Sequence, residues 1–200
     1  MNLVGDASSD VVRTRHFAES IALGAALRER EVLRPDARVI DIGTGAGFPG
    51  VPVKIVWPQI HLTLLEATAK KAVFLAALVD ALGLEDVQIV TARAEEAAHD
   101  ASLRGKFDVV LARAVAPLPA LAELTLPFAR VRGKVIAVKG AGAHDEVIAA
   151  AKALEALGAT AHVVAFEAPG GRQQFVAIVK ERDTPTVYPR RPGMPAKRPL

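Results

Sequence analysis

The chain has 200 residues, of which 51% are hydrophobic, with a formal net charge of +3 and no cysteine. This length suits one generous domain, and a core of Val, Ile, Leu and Ala with few aromatic residues suits helices layered on a sheet. The absence of cysteine excludes a disulfide framework, a thiolate metal site, an iron–sulfur cluster and a cysteine nucleophile.

The N-terminal region, residues 1–34, is predicted to be a helical segment, with a helix over 13–30 that carries Arg15 and His16. It lacks the basic start and apolar run of a signal peptide. No apolar stretch in the chain approaches the roughly eighteen residues of a membrane span, so we expect a cytoplasmic protein without a membrane association.

From Arg38 onward, short apolar runs alternate with segments of helical period, which is typical of repeated βα units and a mostly parallel sheet. The last two predicted strands are joined by a segment too short for a crossover helix, so they must form an antiparallel hairpin. The strands are predicted at 38–42, 60–65, 87–91, 107–112, 134–138, 161–166 and 173–180, and the helices at 48–57, 69–83, 94–103, 118–129 and 143–157. This α/β order is typical of the Rossmann-like fold of class I methyltransferases that use S-adenosylmethionine (AdoMet).

The predicted central domain covers residues 35–182, and a basic, proline-rich C-terminal arm covers 183–200. The last thirteen residues contain four basic side chains and no acidic one, and without them the charge of the chain falls from +3 to −1. The proline content predicts an extended arm with no core of its own.

The first predicted strand leads through Asp41 into a glycine-rich turn with Gly43 and Gly45. Backbone amides and a helix N-terminus converge there, without side chains that would block a ligand. The dinucleotide fingerprint requires a third glycine three residues after the second, where this chain has Phe48 followed by Pro49. The turn therefore favours AdoMet over NAD, although a plain tight turn also fits a bare GxG.

Two further acidic residues follow strands on the same predicted edge. Glu66 closes the second strand, where a carboxylate can accept hydrogen bonds from ribose hydroxyls, or merely cap the next helix. Ala94 and Glu95 follow the third strand, where adenine would lie, although Glu95 also fits a solvated acid in the first turn of a helix.

The fourth strand ends at Arg113, the position from which methyltransferases usually reach the acceptor. The chain has no Asn/Asp-Pro-Pro-aromatic tetrad there for an amino group. An acceptor with an in-plane lone pair, such as guanine N7, needs no base. Arg113 and Lys139 are therefore candidates for the catalytic role of steering a phosphate or guanine edge. A salt bridge from Arg113 to an acid such as Glu95 is the alternative.

Basic residues suggest an RNA surface. Lys70 and Lys71 lie in the first turn of a predicted helix, where the macrodipole disfavours cations, although solvated lysines also fit. The C-terminal arm can track a phosphate backbone, or serve as a disordered solubilising end. The five histidines lack ligand spacing, so no metal site is predicted. The candidates for RNA binding are Arg15, His16, Lys70, Lys71, Arg172, Arg190, Arg191, Lys197 and Arg198.

Taken together, the sequence resembles the bacterial RsmG family, also called glucose-inhibited division protein B, over nearly its whole length. The resemblance lies in Arg15-His16-Phe17, the run from Asp41 to Gly50, Lys70-Lys71, Arg113-Ala114, Lys139-Gly140 and the run from Tyr188 to Gly193. Relatives usually have an additional helix ahead of Asn2-Leu3, so the N-terminal segment looks shortened.

The resemblance implies an AdoMet-dependent enzyme that methylates N7 of a guanine in the 16S ribosomal RNA of the small ribosomal subunit. We expect a monomer, although the sequence does not fix the oligomeric state. It places AdoMet contacts at Gly43, Phe48, Ala94, Glu95 and Arg113, with Glu66 at the ribose position. Two other functions stay open at this point: an NAD-dependent oxidoreductase on a related fold, and an RNA-binding module without catalysis.

Overall fold

The central strands alternate apolar side chains between two faces, which gives the sheet a core on each side. In the computed structural model, which describes residues 12–200, Val39 and Val109 pack into one core, while Ile40, Ile42 and Val110 pack into the other. This two-residue alternation is the geometry of an extended chain covered on both faces.

Seven strands form one sheet in the order β3-β2-β1-β4-β5-β7-β6. The pairs among β1 to β5 are parallel, and β7 lies antiparallel between β5 and β6. The mostly parallel sheet with a C-terminal hairpin confirms the predicted topology. The strands are β1 (Arg38–Ile42), β2 (His61–Glu66), β3 (Val87–Thr91), β4 (Phe107–Arg113), β5 (Ala129–Lys139), β6 (Ala159–Ala168) and β7 (Gly171–Lys180).

The helices divide between the two faces. Helices α2, α3 and α4 contribute Leu23, Val53 and Leu75 to one core, and the helices from α5 to α8 cover the other. The helices are α1 (Val12–Ala18, with π-helical hydrogen bonds), α2 (Glu19–Glu29), α3 (Gly50–Val56), α4 (Ala69–Ala81), α5 (Ala94–Ala97), α6 (Leu118–Thr125), α7 (Ala143–Ala149), α8 (Ala151–Leu157) and α9 (Met194–Lys197).

Three predicted helices differ from the structure in length. The helix predicted over 94–103 ends after one turn, and the one predicted over 143–157 is divided into α7 and α8 at Ala150. Helix α6 ends at Thr125 instead of residue 129 because Pro127 has no N–H to continue the helix and restricts the residue before it.

Strand β5 starts five residues earlier than predicted and contains a wide irregularity. Phe107 pairs with Ala129, but Val109 already pairs with Lys134, so residues 130–133 bulge out of the sheet. Arg132 lies in the left-handed region with φ of 65°, and a Cβ on Gly133 would come within 2.8 Å of the Arg130 carbonyl oxygen. The bulge therefore depends on Gly133.

The C-terminal segment, residues 183–200, differs most from its prediction. It is not an extended arm: Pro189 and Pro195 are buried, and Tyr188 and Leu200 pack against the core on the α6 side. Its last turn forms α9. Among the described residues, no helix combines the length and apolar character that crossing a membrane requires.

Candidate cofactor and active site

The carboxyl ends of the parallel strands meet around the turn at 43–47, the edge where open α/β sheets bind ligands. The amides of Gly43 and Thr44 donate to the Leu65 carbonyl oxygen, which ties the turn to β2. Gly43 has a φ of 66°, and a Cβ there would lie 3.2 Å from Val115. The turn is thus held in a conformation that favours glycine.

Asp41 is fully buried behind the turn. Its Oδ2 accepts hydrogen bonds from the Thr44 hydroxyl at 2.7 Å and from the Gly50 amide at 2.9 Å. A Cβ on Gly50 would lie 2.9 Å from that same oxygen, so the approach requires glycine. Oδ1 is buried and has no hydrogen-bond partner in the part of the chain that the structure describes. Desolvation raises the pKa of Asp41 to about 7, against the opposing hydrogen bonds and the charge of Arg113.

Glu66 links the glycine turn to the start of α4. Its Oε2 accepts from the Gly45 amide at 3.1 Å, and its Oε1 accepts from the Thr68 amide at 2.8 Å. The Thr68 side chain makes no capping bond, so Glu66 supplies the polar contact at this helix start. Each carboxylate oxygen still has capacity for a second donor, which leaves room for ribose hydroxyls.

A cavity of about 200 Å³ lies beside these residues. Its walls come from the ends of β1, β2 and β3, from the start of α5, and from the loop after β4. The lining residues are Ile42, Gly43, Leu65, Ala67, Ala92, Arg93, Ala94, Glu95, Val115 and Leu124. Gly43, Ala94 and Glu95 were predicted as cofactor contacts, and the fold brings them to this one cavity.

Larger cavities lie elsewhere. One of about 600 Å³ is lined by residues such as Ala37, Arg130 and Lys134, near the starts of β1 and β5, and one of about 440 Å³ lies near the starts of β2 and β3. Both are at the amino ends of the strands, away from the glycine turn. A further cavity of about 600 Å³ lies between α2 and the hairpin of β6 and β7. Size alone therefore does not select the cavity beside the glycine turn.

Phe48 anchors the N-terminal helices over the turn. Its ring centroid lies 4.9 Å from that of Phe17 in an edge-on arrangement, and 5.3 Å from that of His16. The predicted RNA contact His16 is therefore half-buried against Phe48. The Arg15 side chain and residues 1–11 lie outside the described part of the chain.

Arg113 reaches towards α2. Its Nη2 lies 3.0 Å from Oε2 of Glu19, and both side chains are more than four-fifths buried. The alternative given for Arg113, a salt bridge to a nearby acid, is present, but with Glu19 instead of the suggested Glu95, because the start of α2 places Glu19 beside Arg113. Arg113 and Glu19 line a narrow cleft with Val138, Phe166 and Gln173.

Lys139 holds the loop after β4 in place through hydrogen bonds. Its Nζ donates to the Ala116 carbonyl oxygen at 2.8 Å and to Oε2 of Glu146 at 2.7 Å, and the same Glu146 oxygen accepts from the Leu118 amide. Lys139 does not line the 200 Å³ cavity. This geometry differs from the predicted steering role, since the ammonium group is engaged in holding the loop.

Arg190, predicted to bind RNA, is instead held by Glu123. Glu123 is completely buried, and its Oε2 lies 2.6 Å from Nη2 of Arg190. This bond raises the pKa of Arg190. Of the remaining candidates, Lys71 is half-buried and five are exposed: Lys70, Arg172, Arg191, Lys197 and Arg198.

Three acidic residues that pair with the predicted basic residues were not predicted from the sequence: Glu19, Glu123 and Glu146. Glu123 carried a usable signal, because it is a lone acid in the apolar helix Leu118–Thr125. A buried acid in such a helix requires a partner. No group of His, Asp and Glu within residues 12–200 could hold a metal ion.

The fold is that of the class I AdoMet-dependent methyltransferases. Solved structures with this fold include an O-methyltransferase from Bacillus cereus in complex with SAH, with a TM-score of 0.61 at 16% identity, covering 90% of this chain and 85% of that one. Another is M. jannaschii TYW2 in complex with AdoMet, with a TM-score of 0.57 at 17% identity, covering 78% and 74%. These similarities establish the fold.

Sequence comparison identifies the family. The family model for rRNA small subunit methyltransferase G matches residues 1–176. The ribosomal RNA small subunit methyltransferases G of Roseiflexus castenholzii and Dehalococcoides mccartyi are 44% and 43% identical to this chain, and each alignment covers 100% of the chain and 84% of the relative. The chain belongs to the rRNA small subunit methyltransferase G family, which confirms the resemblance. Neither the oxidoreductase nor the non-catalytic module finds support here.

Proposed function

We propose that this protein transfers a methyl group from AdoMet to N7 of a guanine in 16S ribosomal RNA, acting on the small ribosomal subunit as a cytoplasmic monomer. The observation that carries the proposal is the meeting of Gly43, Glu66 and Glu95 around one strand edge, with Arg113 next to it, in a chain of this family.

The residues present fit AdoMet. The buried Oδ1 of Asp41 has no hydrogen-bond partner among the described residues, and Gly43 lines the cavity without a side chain. Glu66 would hold the ribose hydroxyls, and Ala94 and Glu95 would contact the adenine. Phe48 would lie on the opposite side of the bound AdoMet. When bound, AdoMet supplies an electrophilic methyl group on a positively charged sulfonium.

The chain's own contribution to the reaction is position. Guanine N7 has an in-plane lone pair, so no residue has to remove a proton from it before it attacks. Holding donor and acceptor in line contributes up to about 7–11 kcal/mol. Arg113 is fixed by Glu19, and a fixed guanidinium can orient a guanine edge through paired donors.

The exposed cations supply a surface for the RNA backbone. Arg191, Lys197 and Arg198 are exposed on the C-terminal segment, and Lys70 is exposed in the first turn of α4. Phosphate contacts of this kind fix the register of an enzyme on its RNA without reading its sequence.

The test is transfer of labelled methyl from AdoMet to small subunits that lack the modification. Glu66→Ala and Arg113→Ala should each abolish transfer to a single guanine, while Lys152→Gln, an exposed change on α8, should not. A substrate whose target guanine lacks N7 should not be methylated. Methylation of that analogue at the same base would overturn the proposed acceptor atom.

A further inference from the structure

The C-terminal segment is fastened to the wall of the cofactor cavity by several polar bonds. Arg104 donates to the carbonyl oxygens of Thr184 and Tyr188 at 3.0 and 2.9 Å, and to that of Ala98 in the region after α5. His99 lies 3.0 Å from the Pro189 carbonyl oxygen. The segment is therefore attached along its length to the same region that follows the predicted adenine contacts.

A buried ion pair fixes the middle of the segment. The Arg190 guanidinium donates to both Glu123 oxygens, and its backbone amide donates to Oε1 of Glu123 at 2.8 Å. Glu123 is followed directly by Leu124, which lines the 200 Å³ cavity. The ion pair thus holds the segment against the helix that forms one cavity wall.

The segment then reaches a cavity residue directly. The amide of Gly193 donates to Oε1 of Glu95 at 2.9 Å. Gly193 has a φ of 80°, a left-handed conformation that aims its amide and that glycine adopts without strain. A hydrogen bond to one carboxylate oxygen restricts the rotation of the whole group, so the second oxygen of Glu95 is also oriented.

We infer that the C-terminal segment is part of the cofactor site, with Gly193 and Arg190 as positioning residues that orient Glu95 for the adenine of AdoMet. The inference rests on the proposed contact between Glu95 and AdoMet. It assigns the segment a role in cofactor binding that is separate from RNA contact by its exposed cations, because the bonds to Glu95 and Glu123 face the domain.

Gly193 offers a matched pair of variants in the full chain. No atom lies within 4 Å of where its Cβ would be, so a substitution there changes the backbone conformation without a steric clash. Gly193→Val disfavours the left-handed conformation and should misplace the amide, whereas Gly193→Asn tolerates that conformation and keeps the amide. Each is made with Glu95 intact and with Glu95→Ala, and AdoMet affinity and the melting temperature are measured.

With Glu95 intact, Gly193→Val should weaken AdoMet binding by up to about tenfold, because a Glu95 side chain that is no longer held must be ordered when AdoMet binds, and Gly193→Asn should stay within about twofold of wild type. In the Glu95→Ala background the two should bind alike, because the residue through which they act is gone. An equal loss in both backgrounds, or no loss in either, overturns the inference.

The proposed contact of Glu95 with AdoMet has its own outcome in this experiment. If Glu95→Ala alone leaves AdoMet affinity unchanged, that contact is wrong and the inference fails with it. If Glu95→Ala weakens binding but Gly193→Val adds the same further loss in both backgrounds, only the inference is overturned. Loss of binding in Glu66→Ala would still support the methyltransferase.

Discussion

Arg190 donates hydrogen bonds to Glu123 from both its side chain and its backbone amide. The Glu123 carboxylate that accepts them is completely buried and lies 67 positions earlier in the chain. Arg190 also donates to the Arg198 carbonyl oxygen at 2.7 Å. One basic residue of the C-terminal segment is therefore structural, while the cations around it remain exposed.

This ion pair predicts that removing one of its two charges destabilises the protein more than removing both. Arg190→Gln leaves Glu123 buried without its charge partner and should destabilise the protein by about 3–5 kcal/mol. Converting both residues to Gln removes the buried charge and should recover most of that loss. Urea unfolding of the two variants checks this. A double variant as unstable as the single one would contradict the account.

The pKa of Asp41 predicts a pH-dependent stability. Burial raises it from 3.8 in the unfolded chain to about 7, so the folded state holds the proton more tightly. The stability from this group is fully present below about pH 3.8 and is lost as the pH rises through about 7. Asp41→Asn, which can keep the bonds from Thr44 and Gly50, should therefore gain stability relative to wild type between pH 5 and 8.

The measurement is the melting temperature without AdoMet across that range, with Asp108→Asn as the control at an acid near the opposite edge of the sheet. The difference between Asp41→Asn and wild type should grow with pH and level off above pH 8. Parallel curves for the two proteins would show that Asp41 does not titrate in this window.

The contacts by which Lys139 and Glu146 hold the loop after β4 predict similar losses of stability when either residue is replaced. Lys139→Ala and Glu146→Ala each remove one side of the same contact, so each should destabilise by about 1–3 kcal/mol. The double variant should fall short of the sum, because the two residues form one network with Leu118 and Ala116. Thermal unfolding and methyl transfer are measured together.

The rates of methyl transfer distinguish two roles for Lys139: holding the loop after β4, or contacting the acceptor directly. If Lys139 holds the loop, the two single variants should lose transfer to a similar extent. A much larger loss in Lys139→Ala, at unchanged melting temperature, would instead support the steering role first predicted for this residue.

The sheet and the glycine turn could be predicted because their signals are local. A short apolar run defines β1, Gly43 follows directly at its end, and Glu66 closes β2. The contacts of Arg113 and Arg190 could not be predicted in this way. Their partners are 94 and 67 positions distant, and only the packing of α2 and α6 brings those acids into range.

The C-terminal segment shows how composition can mislead. Five prolines and four cations after residue 184 indicate an extended, solvated arm. The segment packs against the domain for reasons that composition does not show. Burial of Tyr188, Pro195 and Leu200 removes apolar surface from water, and Arg190 pairs with the buried Glu123. Docking also lowers the number of exposed cations on the segment from four to three.

Those three cations give the last prediction. Arg191, Lys197 and Arg198 are exposed on the docked segment, so replacing all three with Gln should weaken binding to small-subunit RNA and lower the slope of log affinity against log salt by about 2–3. The matched control replaces Arg34, Lys106 and Lys152, exposed cations outside the segment, and should keep the wild-type slope. An unchanged slope in the first variant would remove the segment from the RNA surface. A slope lowered equally by the control would show that net charge, and not the position of these residues, governs RNA binding.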